Sequence, residues 1–252
     1  MLNMNIYGVS TEARPLVIAH GLFGSARNWG AIAKGLSDAR QVVAVDLRNH
    51  GQSAWTETHN YQDMAADLAE VIESLGGRAD LLGHSMGGKT AMVLALTRPD
   101  LLRRLIVGDI APVAYTHSQM PFIDAMRSVN LSTVTKRSEV RAQLATAGVD
   151  LALQGFFTQS LDLATRRWKL NLDVLAQDMP DIMAFPDINR QFTGSALFLA
   201  GDESDYVLPE HRDKIRALFP SARFARLKGA GHWLHADKPK EFEAAVRAFL
   251  SA

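Results

Sequence analysis

No cysteine occurs among the 252 residues, and that one absence removes disulfides, thiolate metal sites and a cysteine nucleophile together. An oxidising compartment is therefore not required, and the cytoplasm is the expected location. Net charge is missing too, because 27 Lys plus Arg balance 27 Asp plus Glu. Nucleic-acid and anionic-membrane binders carry a basic footprint, so neither partner is expected. No window reaches the roughly 18 consecutive apolar residues of a membrane span. The first residues, MLNMNIYGVS, hold neither a basic leader nor an apolar stretch of about 7–15 residues, so neither export nor membrane insertion is expected. Internal repeats and low-complexity tracts are absent, and nothing specifies an oligomeric state.

What is present describes a folding chain. Hydrophobic residues make up 47% and charged residues 21%, which supplies enough apolar material for a core and too much for disorder. At about 100–200 residues per domain, the length fits one domain, or one domain with a large insertion. Short β-rich runs end in glycine or polar signals at PLVIAHG (15–21), QVVAVD (41–46), ADLLGHS (79–85), RLIVGD (104–109) and SALFLAGD (195–202). A more polar sixth is ARFARLKGAGH (222–232). Several are near-continuously apolar, as buried parallel strands are. Helical patterns fall between them at about 28–36, 61–75, 86–98, 209–219 and 238–251. Such alternation predicts an α/β fold with a mostly parallel central sheet flanked by helices, and a ligand site outside the carboxyl ends of the strands.

The alternation breaks between 112 and 194, where no convincing strand is visible. Helix-like pieces such as QMPFIDAMRSV, RSEVRAQLATA and TRRWKLNLDVLAQDM stand between Pro112, Pro121, Gly148, Pro180 and Pro186. The expectation is a helical cap, 112–194, inserted between two strands of a core formed by 1–111 and 195–252.

GHSMGGKT (83–90) lies where a strand ends and a helix begins, and it fits two motifs. As Gly-x-Ser-x-Gly, with Gly83, Ser85 and Gly87, it is a nucleophile elbow that lifts a serine hydroxyl above the sheet. As Gly-x-x-x-x-Gly-Lys-Thr, ending in Gly88, Lys89 and Thr90, it reads as a phosphate-binding loop, and Asp109, the terminal aspartate of RLIVGD, would then hold magnesium. Context favours the first. HGLFGS (20–25) supplies a His-Gly turn of the kind that aims an amide into an oxyanion hole, GAGHWLH (229–235) places a histidine after the last strand, and Asp109 and Asp205 both follow strands. The chain order serine, acid, histidine is that of the hydrolases. Lys89 then becomes an early-helix residue near the mouth of the site. A third reading is a non-catalytic small-molecule binder on the same fold.

HGLFGSARNW, VDLRNHGQS (45–53), GHSMGGK, GDIAPV (108–113) and GAGHWLHADKP (229–239) together resemble the α/β-hydrolase superfamily. Within it they resemble the small esterase and thioesterase branch of the abhydrolase-11-type proteins and their bacterial counterparts. The resemblance spans nearly the whole chain. It implies an α/β-hydrolase fold and hydrolysis of a small-molecule acyl ester or thioester by a serine triad, with no cofactor. Ser85 would attack the acyl carbonyl and His232 would act as general base. His235, three residues on, is its competitor, but the family pattern puts the base in the glycine-flanked Gly-His. HWLH has a spacing a metal could use, yet two histidines without a third ligand make no metal site. The acid is open between Asp109 and Asp205. In most of the superfamily it falls three residues after the glycine of the later strand, where this chain has Ser204; in the branch resembled here it sits at Asp109. The amides of Leu22 and Met86 would receive the oxyanion, with Phe23 beside them lining the pocket. Asp46, Arg48, His50 and Ser53 read as turn architecture. Met120, Phe122, Met126, Phe156, Phe157 and Trp168 are candidates for an apolar acyl pocket. Arg166, Arg167 and Lys169 read as a solvated helix face, with contact to an anionic substrate such as a coenzyme A ester as the alternative.

Overall fold

The computed structural model describes residues 1–252 and contains a seven-stranded sheet. Its strands are β1 (Asn3–Tyr7), β2 (Leu16–Ala19), β3 (Val42–Asp46), β4 (Ala79–His84), β5 (Leu102–Gly108), β8 (Ser195–Gly201) and β9 (Ala222–Leu227). They are ordered β1-β3-β2-β4-β5-β8-β9. β1 runs antiparallel to β3 and all other pairs are parallel, so the α/β class expected from the alternation is the one observed. The core strands are apolar along their whole length because both faces are covered. In β4, Leu81 and Leu82 are both fully buried but belong to separate clusters on opposite faces, as the two-residue period of a strand requires.

Helices cover those faces. α1 (Gly30–Leu36) packs one side with α10 (Leu234–Asp237) and α11 (Pro239–Ser251), while α2 (Tyr61–Ser74), α3 (Met86–Thr97) and α9 (Arg212–Leu218) pack the other. α2 shows why such a segment is helical. The Asn60 side chain accepts from the Asp63 amide, satisfying one orphan donor. Tyr61, Met64, Ala65, Leu68, Val71 and Ile72 form the buried stripe, and Gly76 and Gly77, both at positive φ, end the helix. α3 is buried on every side from Met86 to Leu96, as a helix between a sheet and further layers must be.

Between β5 and β8 lie α4 (Met120–Ser128), α5 (Arg137–Thr146), α6 (Leu151–Phe157), α7 (Leu172–Gln177) and α8 (Met179–Met183), with a two-stranded ribbon of β6 (Leu161–Asp162) and β7 (Arg167–Trp168). The ribbon corrects the expectation of a strand-free segment, and TRRWKLNLDVLAQDM is helical only from Leu172. Arg166, at φ 52°, turns the hairpin, so Arg166, Arg167 and Lys169 lie on or beside a ribbon and not on a helix face. The edge strand β1 is also new. Its polar, half-exposed NMNIY lacks the continuous apolar run that marks the inner strands. Asn3 is fixed by side chains: its Nδ2 donates to Asp46 at 2.9 Å and its amide to Ser53 Oγ at 2.8 Å.

The strand order reverses on either side of β2, and open sheets of this kind bind ligands there, outside the carboxyl ends. The register aligns Ala19 with Gly83, His84 with Gly108 and Gly108 with Leu199. The loops after β2, β4, β5 and β8 therefore emerge side by side.

Burial separates two substitutions sharply. Leu105→Ala, at a fully buried centre of β5, is expected to lower unfolding free energy by about 2–5 kcal/mol. Ile6→Ala, on the exposed side of β1, is expected to change it by about 0.5 kcal/mol or less. Urea denaturation of both variants checks the contrast.

Candidate active site

The β4–α3 turn admits one geometry. A Cβ on Gly83 would sit 2.1 Å from the Gly87 carbonyl oxygen, and one on Gly87 would sit 2.4 Å from the His20 oxygen. Glycine is therefore forced at both places by the closeness of β2, β4 and α3. Between them Ser85 adopts φ 53°, a conformation non-glycine residues take only when the surroundings impose it. Its amide donates to the Gly108 oxygen at 2.9 Å, which locks the turn to β5.

The structure brings Ser85, His232 and Asp109 together. His232 Nε2 lies 3.1 Å from Ser85 Oγ, and His232 Nδ1 lies 2.8 Å from Asp109 Oδ2. Asp109 is fully buried and also stands at positive φ, 49°. Its Oδ1 accepts from the Gly201 amide at 2.9 Å, and its Oδ2 accepts from the Ser204 hydroxyl. Asp205, the other carboxylate considered, is exposed and makes no contact with His232. Ser204, three residues after Gly201, carries a hydroxyl in place of a carboxylate and donates it to Asp109.

The His232 ring is held from other directions as well. Tyr206 stacks on it with centroids 4.0 Å apart and planes 22° apart. His84 Nε2 is 2.8 Å from the His232 carbonyl oxygen; a carbonyl only accepts, so that nitrogen carries the proton. His235 does not compete with His232. It stacks on Trp29 at 4.0 Å and its buried Nδ1 has no partner. No sequence motif marks Tyr206. His84 and Ser204 each stood beside a residue already singled out, and that adjacency was the available signal.

Leu22 and Met86 line the same cavity as Ser85. Leu22 is outside any helix or strand and its N–H makes no internal hydrogen bond. Met86 is the first residue of α3, where amides lack an intrahelical acceptor. Phe23, at φ 64° and almost fully buried, donates its amide to His50 Nε2 at 3.2 Å. His50 Nδ1 and His20 Nδ1 lie 2.9 and 2.8 Å from the carbonyl oxygens of Arg48 and Gly21, and His20 Nε2 accepts from Leu47. Asp46 accepts from the amides of Ala26 and Gln52, Ser53 donates to the Asp46 carbonyl, and Arg48 pairs with Asp63 and Asp67. Asp46, Arg48, His50 and Ser53 thus build the loop that supports the β2 turn.

A cavity of about 220 Å³ opens here. Leu22, Phe23, Ser85, Met86 and His232 line it, with Phe122, Phe156 and Phe157 from the segment between β5 and β8. Met120, Met126 and Trp168 do not. Met126 is fully buried, and the Trp168 indole donates to its carbonyl at 3.0 Å, so both pack the interior of that segment. Lys89 is likewise displaced from its expected place at the mouth. It is 1% exposed and lines the cavity wall, with Nζ donating to the carbonyl oxygens of Met183 at 2.9 Å and Ala184 at 2.5 Å. Burial, and then the charge of Lys214, lower its pKa to about 7. This geometry overturns the phosphate-loop alternative: the ammonium faces carbonyl oxygens, and Gly83 is still in β4 while α3 begins at Met86, leaving no loop to wrap a phosphate.

The alpha/beta hydrolase family model matches residues 16–245. The chain is 40% identical to the mouse protein named sn-1-specific diacylglycerol lipase ABHD11, over 99% of this chain and 85% of that one. It is 36% identical to esterase YbfF of Escherichia coli, over 94% of this chain and 93% of that one. A solved structure titled marine microorganism esterase superposes with a TM-score of 0.93 at 37% identity, covering 98% of each chain.

The histidines around the site impose a pH dependence on folding. Burial holds His20, His50 and His84 below the ordinary imidazole range and lowers His59 to about 3 and His235 to about 4. They stay neutral in the folded chain, whereas the unfolded chain binds protons below about pH 6.5. Stability is therefore complete above that value and is lost as pH falls, by up to about 1.4 kcal/mol per pH unit for each histidine. The urea midpoint is expected to drop between pH 7.5 and pH 5; an unchanged midpoint would contradict this account.

Proposed function

The chain belongs to the alpha/beta hydrolase family, and from that premise we propose that it hydrolyses small-molecule carboxylic esters through an acyl-enzyme on Ser85. The observation that carries the proposal is the unbroken chain of hydrogen-bond distances from Ser85 Oγ through His232 to Asp109. A serine hydroxyl is a weak nucleophile unless a base accepts its proton. His232 Nε2 is within reach to accept it as Oγ bonds to the acyl carbon. The carbonyl π electrons move to oxygen, and the Leu22 and Met86 amides are suited to receive that charge, each such donor being worth about 3–4 kcal/mol. When the C–O bond of the leaving group breaks, His232 returns the proton to the departing alcohol. Water then repeats the sequence: it gives a proton to His232 as it attacks the acyl carbon, and when the acyl–Oγ bond breaks His232 returns that proton to Ser85, releasing the acid. Asp109 keeps Nδ1 protonated and stabilises the imidazolium, and its own carboxylate is held by Gly201 and Ser204.

Residues 112–194 act in this reading as a cap on a core of 1–111 and 195–252, contributing the apolar walls for an acyl chain. The relatives' names, a lipase and an esterase, support esters as the substrate class. Thioesters are open to the same attack, because a thiolate leaves at least as readily as an alkoxide.

Ser85→Ala and His232→Ala are each expected to lower kcat on p-nitrophenyl acetate or butyrate by about 10⁴ or more. A fluorophosphonate probe should label wild type at Ser85. Normal turnover by Ser85→Ala would remove the mechanism, and a panel of esters and thioesters graded in chain length would place the substrate. Asp109→Asn is expected to lose about 10³ to 10⁴ in kcat while Asp205→Asn stays near wild type. The reverse result would move the acid to the later loop.

A further inference from the structure

Lys89 has no part in the chemistry above, yet it is a lysine buried in the wall of the reaction cavity. It lies on α3 one helical turn past Ser85, whose carbonyl accepts the Lys89 amide at 3.0 Å. Its partners are the last carbonyls of α8, and the core satisfies three of these in succession. Tyr61 Oη donates to Ile182 at 2.6 Å, Lys89 Nζ and the Tyr115 amide donate to Met183, and Lys89 Nζ also donates to Ala184. Final-turn carbonyls have no intrahelical donor, and orphaning them in a buried place is costly. The Lys89 ammonium also lies 4.8 Å from the Tyr115 ring centroid and 5.7 Å from that of Tyr61. Ile182 and Met183, whose backbone is gripped in this way, line the cavity.

We propose that Lys89 is a specificity-determining positioning residue: by clamping the carboxyl end of α8 it fixes the Ile182–Met183 wall and so sets the acyl length the cavity accepts. The inference deepens the esterase reading, since it takes the cavity beside Ser85 to be the acyl site. An aliphatic residue would fill the same space without the cost of a buried amine, a cost visible in the lowered pKa of about 7. Only a donor meets the carbonyls. Without it the Ala184 carbonyl loses its donor and Met183 keeps only the Tyr115 amide, so the end of α8 loosens and moves back from the cavity.

Trp29 and Trp233 line the cavity, so their fluorescence reports occupancy without turnover. In wild type, affinity for straight-chain 1-alkanols is expected to rise about fourfold per methylene until the chain meets the wall, and then to level off. Lys89→Met should move that cut-off at least two carbons longer. The same shift should appear in KM across p-nitrophenyl esters, raising the ratio of long-chain to short-chain kcat/KM by about tenfold. Lys89→Gln keeps two N–H donors and should move the cut-off less, and it carries the test should the methionine variant fail to fold. A cut-off unchanged in the variants, or an equal loss of kcat at every chain length with KM unmoved, would overturn the assignment. A shifted alkanol cut-off in a protein that neither hydrolyses esters nor labels at Ser85 would sink the esterase reading and leave the role of Lys89 standing.

Discussion

The structure depends on a steric constraint of a few tenths of a nanometre: the backbones of β2, β4 and α3 meet so closely that Gly83 and Gly87 have no room for a side chain. That approach compels Ser85 into its positive φ and turns its hydroxyl out over the carboxyl edge of the sheet. Because the strands beside β4 are in parallel register, the loops following β2 and β5 leave the sheet at the same level. Leu22 from the first then lines the same cavity as Ser85, and Asp109 from the second reaches the His232 ring that faces the serine, without any long side chain having to extend. Strain is concentrated there. Of the five non-glycine residues at positive φ, Phe23, Ser85 and Asp109 belong to the site, and the packed sheet beneath offsets their cost.

Around that turn the electrostatics are arranged by burial. Most of the histidines near the site are buried and neutral, and His20, His50 and His84 have their tautomers fixed by backbone carbonyls or an amide, tying loops together. His232 alone faces both a buried carboxylate and a hydroxyl. Burial penalises a charge on each of the others, chiefly by desolvation, so the same burial that keeps the loops in place ties the integrity of this region to a pH at which imidazoles are neutral.

What could be read in the sequence follows from how local each signal is. β2, β4, β5 and β8 announced themselves because strands covered on both faces are apolar throughout, and the elbow because steric crowding leaves glycine no substitute. Asp109 over Asp205 required more, since both follow strands; the register that sets β5 against β8, and the Ser204 hydroxyl directed at Asp109, are visible only in three dimensions. β1 escaped because an edge strand held by side-chain bonds to Asp46 and Ser53 has no pattern of its own. The ribbon escaped because Arg166 makes the hairpin turn at a positive φ that arginine rarely adopts. Lys89 was misplaced for a related reason. A lysine early in a helix is ordinarily solvated, and the carbonyls that draw it inward come from residues about ninety-four positions away.

That last contact is one of several that fasten the segment between β5 and β8 to the β3–α2 loop, α2 and α3. The Gly51 amide donates to Lys169, the Asn171 amide to Asn49 and the His59 amide to Asp178, while the carboxyl end of α8 is held by Tyr61 and Lys89. Apolar residues on both sides, such as Val107 and Phe198 below and Met126 and Leu175 above, fall into one continuous core. The segment is thus an extension of the same packed body. Lifting it as a unit would leave buried amides and carbonyls unpaired, at about 1–3 kcal/mol each, besides exposing the core. The cavity wall is thus backed by the same packed core, and a close-packed wall discriminates among chains by length, because one methylene too many has to displace side chains that already fill the space.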